Sequence, residues 1–193
     1  MTYLLLGLIL FLGVHSVRIF ADDFRTRTVA RIGLNPYKGI YTLVSLAGFA
    51  LLVYGYGLLR VEGGFLWNPP RWTHHVTALL MLFSFILLAA AYVKGNRIKA
   101  RVGHPMVLGV KVWAFAHLLS NGRVGDVVLF GAFLAWAVAD YIVSRRRDRA
   151  TGTAYPVLGA SRDAIVLAAG FVGYVVFAFW LHLWLIGVKP FGV

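Results

Sequence analysis

The stretch His75–Val93, HVTALLMLFSFILLAAAYV, decides the fold class, because its 19 residues include no aspartate, glutamate, lysine or arginine. A helix that crosses about 30 Å of hydrocarbon needs roughly 20 mostly apolar residues. Five other stretches come near that length, and the shortest of them contains Lys111. The six predicted spans are Thr2–Phe20, Gly39–Leu59, His75–Val93, Pro105–Leu119, Val124–Val143 and Ala164–Val188. We therefore predict an all-α, polytopic membrane helical bundle with about six transmembrane helices, forming a single domain over residues 1–193.

The composition of the whole chain agrees with a membrane protein. Hydrophobic residues make up 60% and charged residues 13%, whereas soluble proteins average about 45–50% and about 25%. The chain has no cysteine, which excludes a disulfide framework, a thiolate-bound iron–sulfur cluster and a cysteine nucleophile. The net charge of +12 comes from small basic clusters between the spans, which topology and anionic headgroups explain. The lipid bilayer is the predicted partner, and we expect no nucleic acid.

The positions of the basic residues predict the orientation in the membrane. Cytoplasmic connections carry an excess of lysine and arginine. The first, third and fifth connections hold 13 basic residues, namely Arg25, Arg27, Arg31, Lys38, Lys94, Arg97, Lys99, Arg101, Arg145, Arg146, Arg147, Arg149 and Arg162. The other side holds Arg60, Arg71, Arg123 and Lys189. Both termini are therefore expected to face away from the cytoplasm. Residues 1–20 lack a basic n-region, so we expect the first span to be retained.

Ionisable side chains within the spans are the candidate functional groups, because such groups are costly in lipid and usually face the bundle interior. At a rise of 1.5 Å per residue, His15 lies roughly 20 Å from the outer end of its span and His117 roughly 18 Å from the inner end of its own. Across about 30 Å of hydrocarbon, the depths of the two side chains therefore differ by only about 7–8 Å. Two buried imidazoles at similar depth on facing helices are what bis-histidine haem ligation requires. Arg18 and Lys111 are candidate partners of the haem propionates. Structural histidines that hold helices together are the alternative.

Five motifs in order along the chain carry a family resemblance. They are Gly13-Val14-His15-Ser16-Val17-Arg18, Asn35-Pro36-Tyr37-Lys38-Gly39, Asn68-Pro69-Pro70-Arg71-Trp72, His104-Pro105-Met106 and Ala116-His117-Leu118-Leu119-Ser120-Asn121-Gly122. Together they resemble the NnrU family of small bacterial inner-membrane proteins, over roughly residues 1–190. The resemblance implies a bacterial inner-membrane location, so the side on which the charge pattern places both termini would be the periplasm. It also implies a link to denitrification, in particular to nitrite and nitric oxide reduction.

The NnrU family is in turn similar to the 15-cis-zeta-carotene isomerase of plants and cyanobacteria, a membrane enzyme that carries haem b. The strings that match its two ligand histidines and its His-Pro motif are Val14-His15-Ser16, Trp113-Ala114-Phe115-Ala116-His117 and His104-Pro105. The similarity implies that His15 and His117 ligate haem b, with His104 as a supporting or proton-handling residue. The isomerase has a cysteine where this chain has Ala114, so a ligand switch between cysteine and histidine is excluded here.

Three functions are compatible with the sequence. The first is a haem-b membrane protein that binds nitric oxide or performs isomerase-like redox chemistry on a hydrophobic small molecule. The second is a membrane methyltransferase using S-adenosylmethionine, because His104-Pro105 resembles the Arg-His-Pro element of such enzymes, although Gly103 precedes it here. The third is a non-enzymatic accessory or assembly subunit whose histidines are structural. Stoichiometric haem distinguishes the first function from the other two.

Overall fold

The structure, a computed structural model, describes residues 1–62 and 64–191, except for the side chain of residue 62. The described elements are α1 (Thr2–Phe20), α2 (Asp22–Ile32), α3 (Leu34–Glu62), α4 (Trp72–Tyr92), α5 (Arg97–Val102), α6 (Pro105–Ser120), α7 (Val124–Thr151), α8 (Ala160–Val176), one π-helical turn (Phe177–Leu181) and α9 (His182–Ile186). Helices dominate the part of the chain that the structure describes. The predicted all-α fold class is confirmed.

Five of the described helices are long and apolar enough to cross a membrane, and the segment from α8 to α9 counts as one of them. The fourth predicted span, Pro105–Leu119, corresponds to α6, which has 16 residues, or about 24 Å at 1.5 Å per residue. Large apolar side chains remain exposed along the spans, for example Ile9 at 67% and Leu43 at 69%. This exposure suits a lipid environment and would be costly in water. The chain is a multi-pass membrane protein.

Several helices extend beyond the apolar stretches that predicted them. α3 begins at Leu34 rather than at Gly39, and α7 continues to Thr151 rather than ending at Val143. The break before α3 lies at Gly33, whose φ of 87° favours glycine, while Pro36 is accommodated in the first turn. Apolar composition marks where a helix lies in lipid, but arginine is also a good helix former. The helix therefore continues past the hydrocarbon boundary.

The first connection contains a helix that the hydropathy pattern did not predict. α2 carries Asp22 and Asp23 in its first turn and Arg31 in its last turn. Acidic residues at the N-terminus and basic residues at the C-terminus complement the helix dipole. No side chain of this helix is buried. α2 is therefore a short polar helix between two spans.

The helical contacts divide the chain into two compact units. The first unit comprises Met1–Asn68 and Asn121–Asp140, and the second comprises Pro69–Ser120 and Tyr141–Val193. α7 begins in the first unit and ends in the second.

The first unit is built on close packing between α1 and α3. Its buried apolar centre consists of Leu4, Leu8 and Leu52. Gly7 and Gly55 lie where the two backbones meet, so that a Cβ atom on Gly7 would come within 2.5 Å of the Leu52 nitrogen. Small residues that let two backbones approach are the usual basis of helix association in membranes.

A hydrogen-bonded loop region closes one end of the first unit. The Tyr56 hydroxyl donates to Asp126 Oδ1 at 2.7 Å, and the backbone N–H of Arg123 donates to Asp126 Oδ2 at 3.1 Å. Asp126 is 4% exposed. The N–H of Leu66 donates to the Gly122 carbonyl at 2.7 Å. A buried carboxylate is thus held by one side-chain donor and one backbone donor.

The substitution Tyr56→Phe is expected to lower the free energy of unfolding by about 1.5–3 kcal/mol, because it removes a hydrogen bond to a charged group and leaves the buried oxygen unpaired. Tyr54→Phe is the matched control. Tyr54 lies two residues earlier on the same helix, is 56% exposed and makes an edge contact with Tyr3. Thermal unfolding of the detergent-purified variants measures the difference. Equal melting temperatures for the two variants would contradict the assignment.

In the second unit α4 packs against α6 and α8. Ser84 donates to the carbonyl of Gly109 at 2.9 Å, and Thr77 donates to the carbonyl of Ala116 at 2.7 Å. Both bonds join α4 to α6. Gly170 on α8 lies against Ile86, where an added Cβ would come within 2.7 Å of the Ile86 Cα. The two hydrogen bonds thus hold α6, which carries His117, against α4, and the small residue Gly170 lets α8 pack closely against α4.

Candidate functional site

His15 lies on α1 among aromatic side chains of the first unit. Its ring stacks on Phe11 with a centroid distance of 4.3 Å, and the rings of Tyr41 and Trp136 lie at 5.1 and 6.1 Å. The imidazole is half-buried. Three helices, α1, α3 and α7, therefore contribute one aromatic residue each to its surroundings.

The hydrogen bond of His15 determines which ring nitrogen is protonated. Nδ1 lies 2.6 Å from the carbonyl oxygen of Phe11. A carbonyl can only accept, so Nδ1 carries the proton and donates it. In the neutral ring Nε2 then has a lone pair. Within residues 1–62 and 64–191 no hydrogen bond to Nε2 of His15 is found. This nitrogen is in the form that a metal ion requires.

His117 on α6 repeats this geometry in the second unit. Its Nδ1 donates to the carbonyl oxygen of Trp113 at 2.9 Å, and the two rings lie 5.5 Å apart. The interval of four residues between aromatic residue and histidine is the same as in α1. Thr77 donates to the carbonyl of Ala116, which fixes the turn that carries His117. The lone pair of the neutral His117 ring is therefore also on Nε2.

A buried polar atom of the first unit, Nε1 of Trp136, has no hydrogen-bond partner among the described residues. A buried donor without a partner costs about 1–3 kcal/mol. Trp136 is the residue whose ring edge contacts His15. The sequence did not indicate this atom, because neither periodicity nor spacing shows which polar group of a span is left unpaired.

The other predicted site residues lie in different surroundings. Arg18, one turn after His15 on α1, is exposed. Lys111 on α6 is half-buried, and its Nζ lies 5.4 Å from the centre of the Tyr141 ring. His104 lies before α6, with Nε2 at 3.0 Å from Asp148 Oδ2. The structure thus joins His104 to a carboxylate that the sequence had not paired with it.

A conventional metal site combines at least three protein ligands. No group of three or more His, Cys, Asp or Glu side chains that could hold a metal ion occurs within the described ranges 1–62 and 64–191. A haem iron takes at most two axial ligands from the protein. His15, in the first unit, and His117, in the second, each have the ring tautomer that an axial ligand needs.

The comparison with protein families identifies the chain. A family model described as NnrU protein matches residues 3–190. The chain belongs to the NnrU family. This confirms the resemblance carried by the five sequence motifs. No curated protein matches the NnrU-family chain, and no solved structure matches it.

Proposed function

We propose that this NnrU-family protein binds haem b in the membrane, with Nε2 of His15 and Nε2 of His117 as axial ligands. The observation that carries the proposal is that the imidazoles on α1 and α6 make the same Nδ1 hydrogen bond. In each case Nδ1–H donates to the carbonyl of an aromatic residue four positions earlier, Phe11 or Trp113. A hydrogen bond of this kind fixes the tautomer and the ring orientation of metal-ligating histidines.

The residues around His15 fit a porphyrin. The ring of the cofactor is apolar and planar, and the aromatic side chains of Phe11, Tyr41 and Trp136 supply apolar walls. A haem also brings acceptors into the membrane, because it carries two propionate carboxylates. The unpaired donor Nε1 of Trp136 matches such an acceptor. This match supports haem more than it supports a purely structural histidine.

The protein's own residues would have three roles in this function. The backbone carbonyls hold the two imidazoles in the ligating tautomer, the aromatic side chains exclude water, and Arg18 and Lys111 supply positive charge for the propionates. When bound, haem b would supply an iron that exchanges electrons, and a small ligand such as nitric oxide would bind only when one of the two histidines leaves the iron. From the family resemblance we infer a role linked to nitrite and nitric oxide reduction. Isomerase-like redox chemistry on a lipid-soluble substrate is the variant that the similarity to carotene isomerase favours.

The location follows from the same resemblance and from the charge distribution. We propose the bacterial inner membrane, with both termini on the periplasmic side. The described arginine-rich segments, α2, α5 and the end of α7, would then face the cytoplasm. Labelling of single cysteines introduced at residues 2 and 147 from the outside of intact cells checks this orientation. Labelling at residue 147 but not at residue 2 would contradict it.

The absorption spectrum of the detergent-purified full chain tests the proposed function. The air-oxidised protein should show a Soret band, and dithionite should sharpen the α and β bands, as expected for two axial histidines. A pyridine haemochrome assay should give about one haem per chain. A protein that stays colourless when haem is supplied during expression would overturn the proposal. Its histidines would then be structural, and an accessory subunit would be the better explanation.

A further inference from the structure

A second cluster of polar side chains lies in the second unit and includes neither His15 nor His117. Its centre is Asp148, which is 8% exposed. Oδ2 of Asp148 accepts hydrogen bonds from Nε2 of His104 at 3.0 Å, from the Tyr155 hydroxyl at 3.1 Å and from Nη1 of Arg145 at 3.3 Å. Three donors on one buried oxygen fix the positions of all four side chains.

A tight backbone turn brings His104 to this carboxylate. The N–H of His104 donates to the carbonyl of Val102 at 2.9 Å, two residues earlier. Gly103 between them has φ 76° and ψ −62°, the conformation of a γ-turn that is rare and strained. A Cβ atom on Gly103 would collide with the Arg145 guanidinium and lie 3.1 Å from Asp148 Oδ2. Glycine is therefore needed for the turn, and an added Cβ would also displace the Arg145 side chain from Asp148.

The segment after α7 places Tyr155 in the same cluster. The N–H of Thr153 donates to the backbone carbonyl of Asp148 at 2.9 Å, which turns the chain back towards α7. Burial raises the pKa of the Tyr155 phenol above its ordinary value, and the hydrogen bond and negative charge of Asp148 raise it further, while the Arg145 charge lowers it. The phenol therefore remains protonated and donates a hydrogen bond to Asp148.

The bond to Asp148 determines the tautomer of His104. A carboxylate oxygen accepts, so Nε2 of His104 donates, and the neutral ring has its lone pair on Nδ1. This is the reverse of the tautomer found for His15 and His117. No hydrogen bond to Nδ1 of His104 is found within the described residues, and the side chain is 27% exposed.

The charged and titratable groups that face His104 come from three segments. α7 contributes Asp148 and Arg145, and the following loop contributes Tyr155, whose hydroxyl lies 3.5 Å from Nε2 of His104. α5 contributes Lys99, with Nζ 5.9 Å from the centre of the Tyr155 ring. A buried carboxylate that holds one imidazole nitrogen while the other remains accessible is the arrangement by which general bases are oriented.

We propose that His104, Asp148 and Tyr155 form a proton-transfer site, in which Nδ1 of His104 takes up a proton from the aqueous side and returns it. The lone pair of Nδ1 binds the incoming proton, and the Nε2–H remains donated to Asp148 throughout. Asp148 stabilises the imidazolium, and Tyr155 holds Asp148 in place. No group is oxidised or reduced. The site requires no haem, so the test of this proposal is independent of the test of haem binding.

Nitrogen-15 NMR of histidine-labelled full-length protein in detergent tests this site, with the His104 signals assigned by their loss in His104→Gln. At high pH we expect a protonated Nε2 and a bare Nδ1. The Nδ1 signal should shift reversibly to that of a protonated nitrogen when the sample is acidified. A protonated Nδ1 in the neutral ring, or a Nδ1 that takes up no proton on acidification, would overturn the proposal.

Three variants test which partner fixes the tautomer of His104. Asp148→Asn should lower the share of the Nε2–H tautomer, because an amide oxygen is a weaker acceptor than a carboxylate and the amide N–H₂ can donate to Nε2. Asp163→Asn is the matched control, since Asp163 pairs with Arg97 in the same unit, and it should leave the His104 signals unchanged. Tyr155→Phe keeps Asp148 and should keep the tautomer. If Asp148→Asn does not fold, the spectra of the wild type and of Tyr155→Phe still show whether Nε2 of His104 carries the proton in the neutral ring.

Discussion

Replacing either His15 or His117 by alanine is expected to remove the haem spectrum of the purified protein. Each substitution deletes one Nε2 ligand, and a haem with a single remaining histidine loses the low-spin bands of two axial imidazoles. The pyridine haemochrome assay should fall from about one haem per chain to less than about a tenth in His15→Ala. His117→Ala should behave in the same way, because its imidazole has the same hydrogen-bond geometry.

His75→Ala is the control for these two variants. His75 lies in the first turn of α4 and is exposed, so its loss should leave the haem content unchanged. Adding imidazole to His15→Ala during haem loading should restore the low-spin spectrum, because the external ligand replaces the lost ring. A variant that merely misfolds would not be rescued. Full haem occupancy in both alanine variants would assign the iron to other ligands.

A milder substitution tests the donor beside His15. Trp136→Phe keeps an aromatic ring but removes the Nε1–H, which has no partner within the described residues. If that N–H donates to a haem carboxylate, haem is lost more readily from this variant than from the wild type, while the low-spin bands remain. This variant therefore separates loss of a supporting hydrogen bond from loss of a ligand.

Depth along the predicted spans proposes His15 and His117 as ligands but does not describe their surroundings. Their Nδ1 hydrogen bonds go to the backbone carbonyls of Phe11 and Trp113. Since every helical residue has a carbonyl four positions earlier, the sequence does not single out these bonds. Trp136 lies on a helix distant in sequence from α1. Hydropathy defines that helix but not its rotation, so contact between Trp136 and His15 could not be predicted.

The cluster at His104 was beyond sequence reasoning for a different reason. Asp148 and Tyr155 lie in a polar region between two spans, where apolar periodicity gives no information. The γ-turn at Gly103 reverses the chain over three residues, and its hydrogen bond was not apparent from composition. Only the His104-Pro105 motif marked the region. Helix ends were misjudged in the same way at α7, because arginine-rich turns are polar and yet helical.

The substitution Gly55→Ala is expected to be the most destabilising glycine-to-alanine change at the contact between α1 and α3. A Cβ atom at this position would collide with the backbone nitrogen of Leu4 and lie 2.8 Å from the Tyr3 carbonyl carbon. Both atoms belong to the α1 backbone, which cannot yield as a flexible side chain can. Overpacking of a core costs typically about 1–3 kcal/mol. Since backbone must move here, we expect a loss of at least about 2 kcal/mol.

Gly57→Ala provides the matched control on the same helix. Gly57 lies two residues further along α3, is exposed, and an added Cβ would meet nothing within 4 Å. There the better helix propensity of alanine should leave the stability unchanged or raise it by up to about 1 kcal/mol. Thermal unfolding in detergent, followed by circular dichroism, compares the two. If Gly55→Ala melted at the temperature of Gly57→Ala, the close approach of α1 and α3 would not be what stabilises the unit, and the burial of Leu4, Leu8 and Leu52 would have to account for its stability.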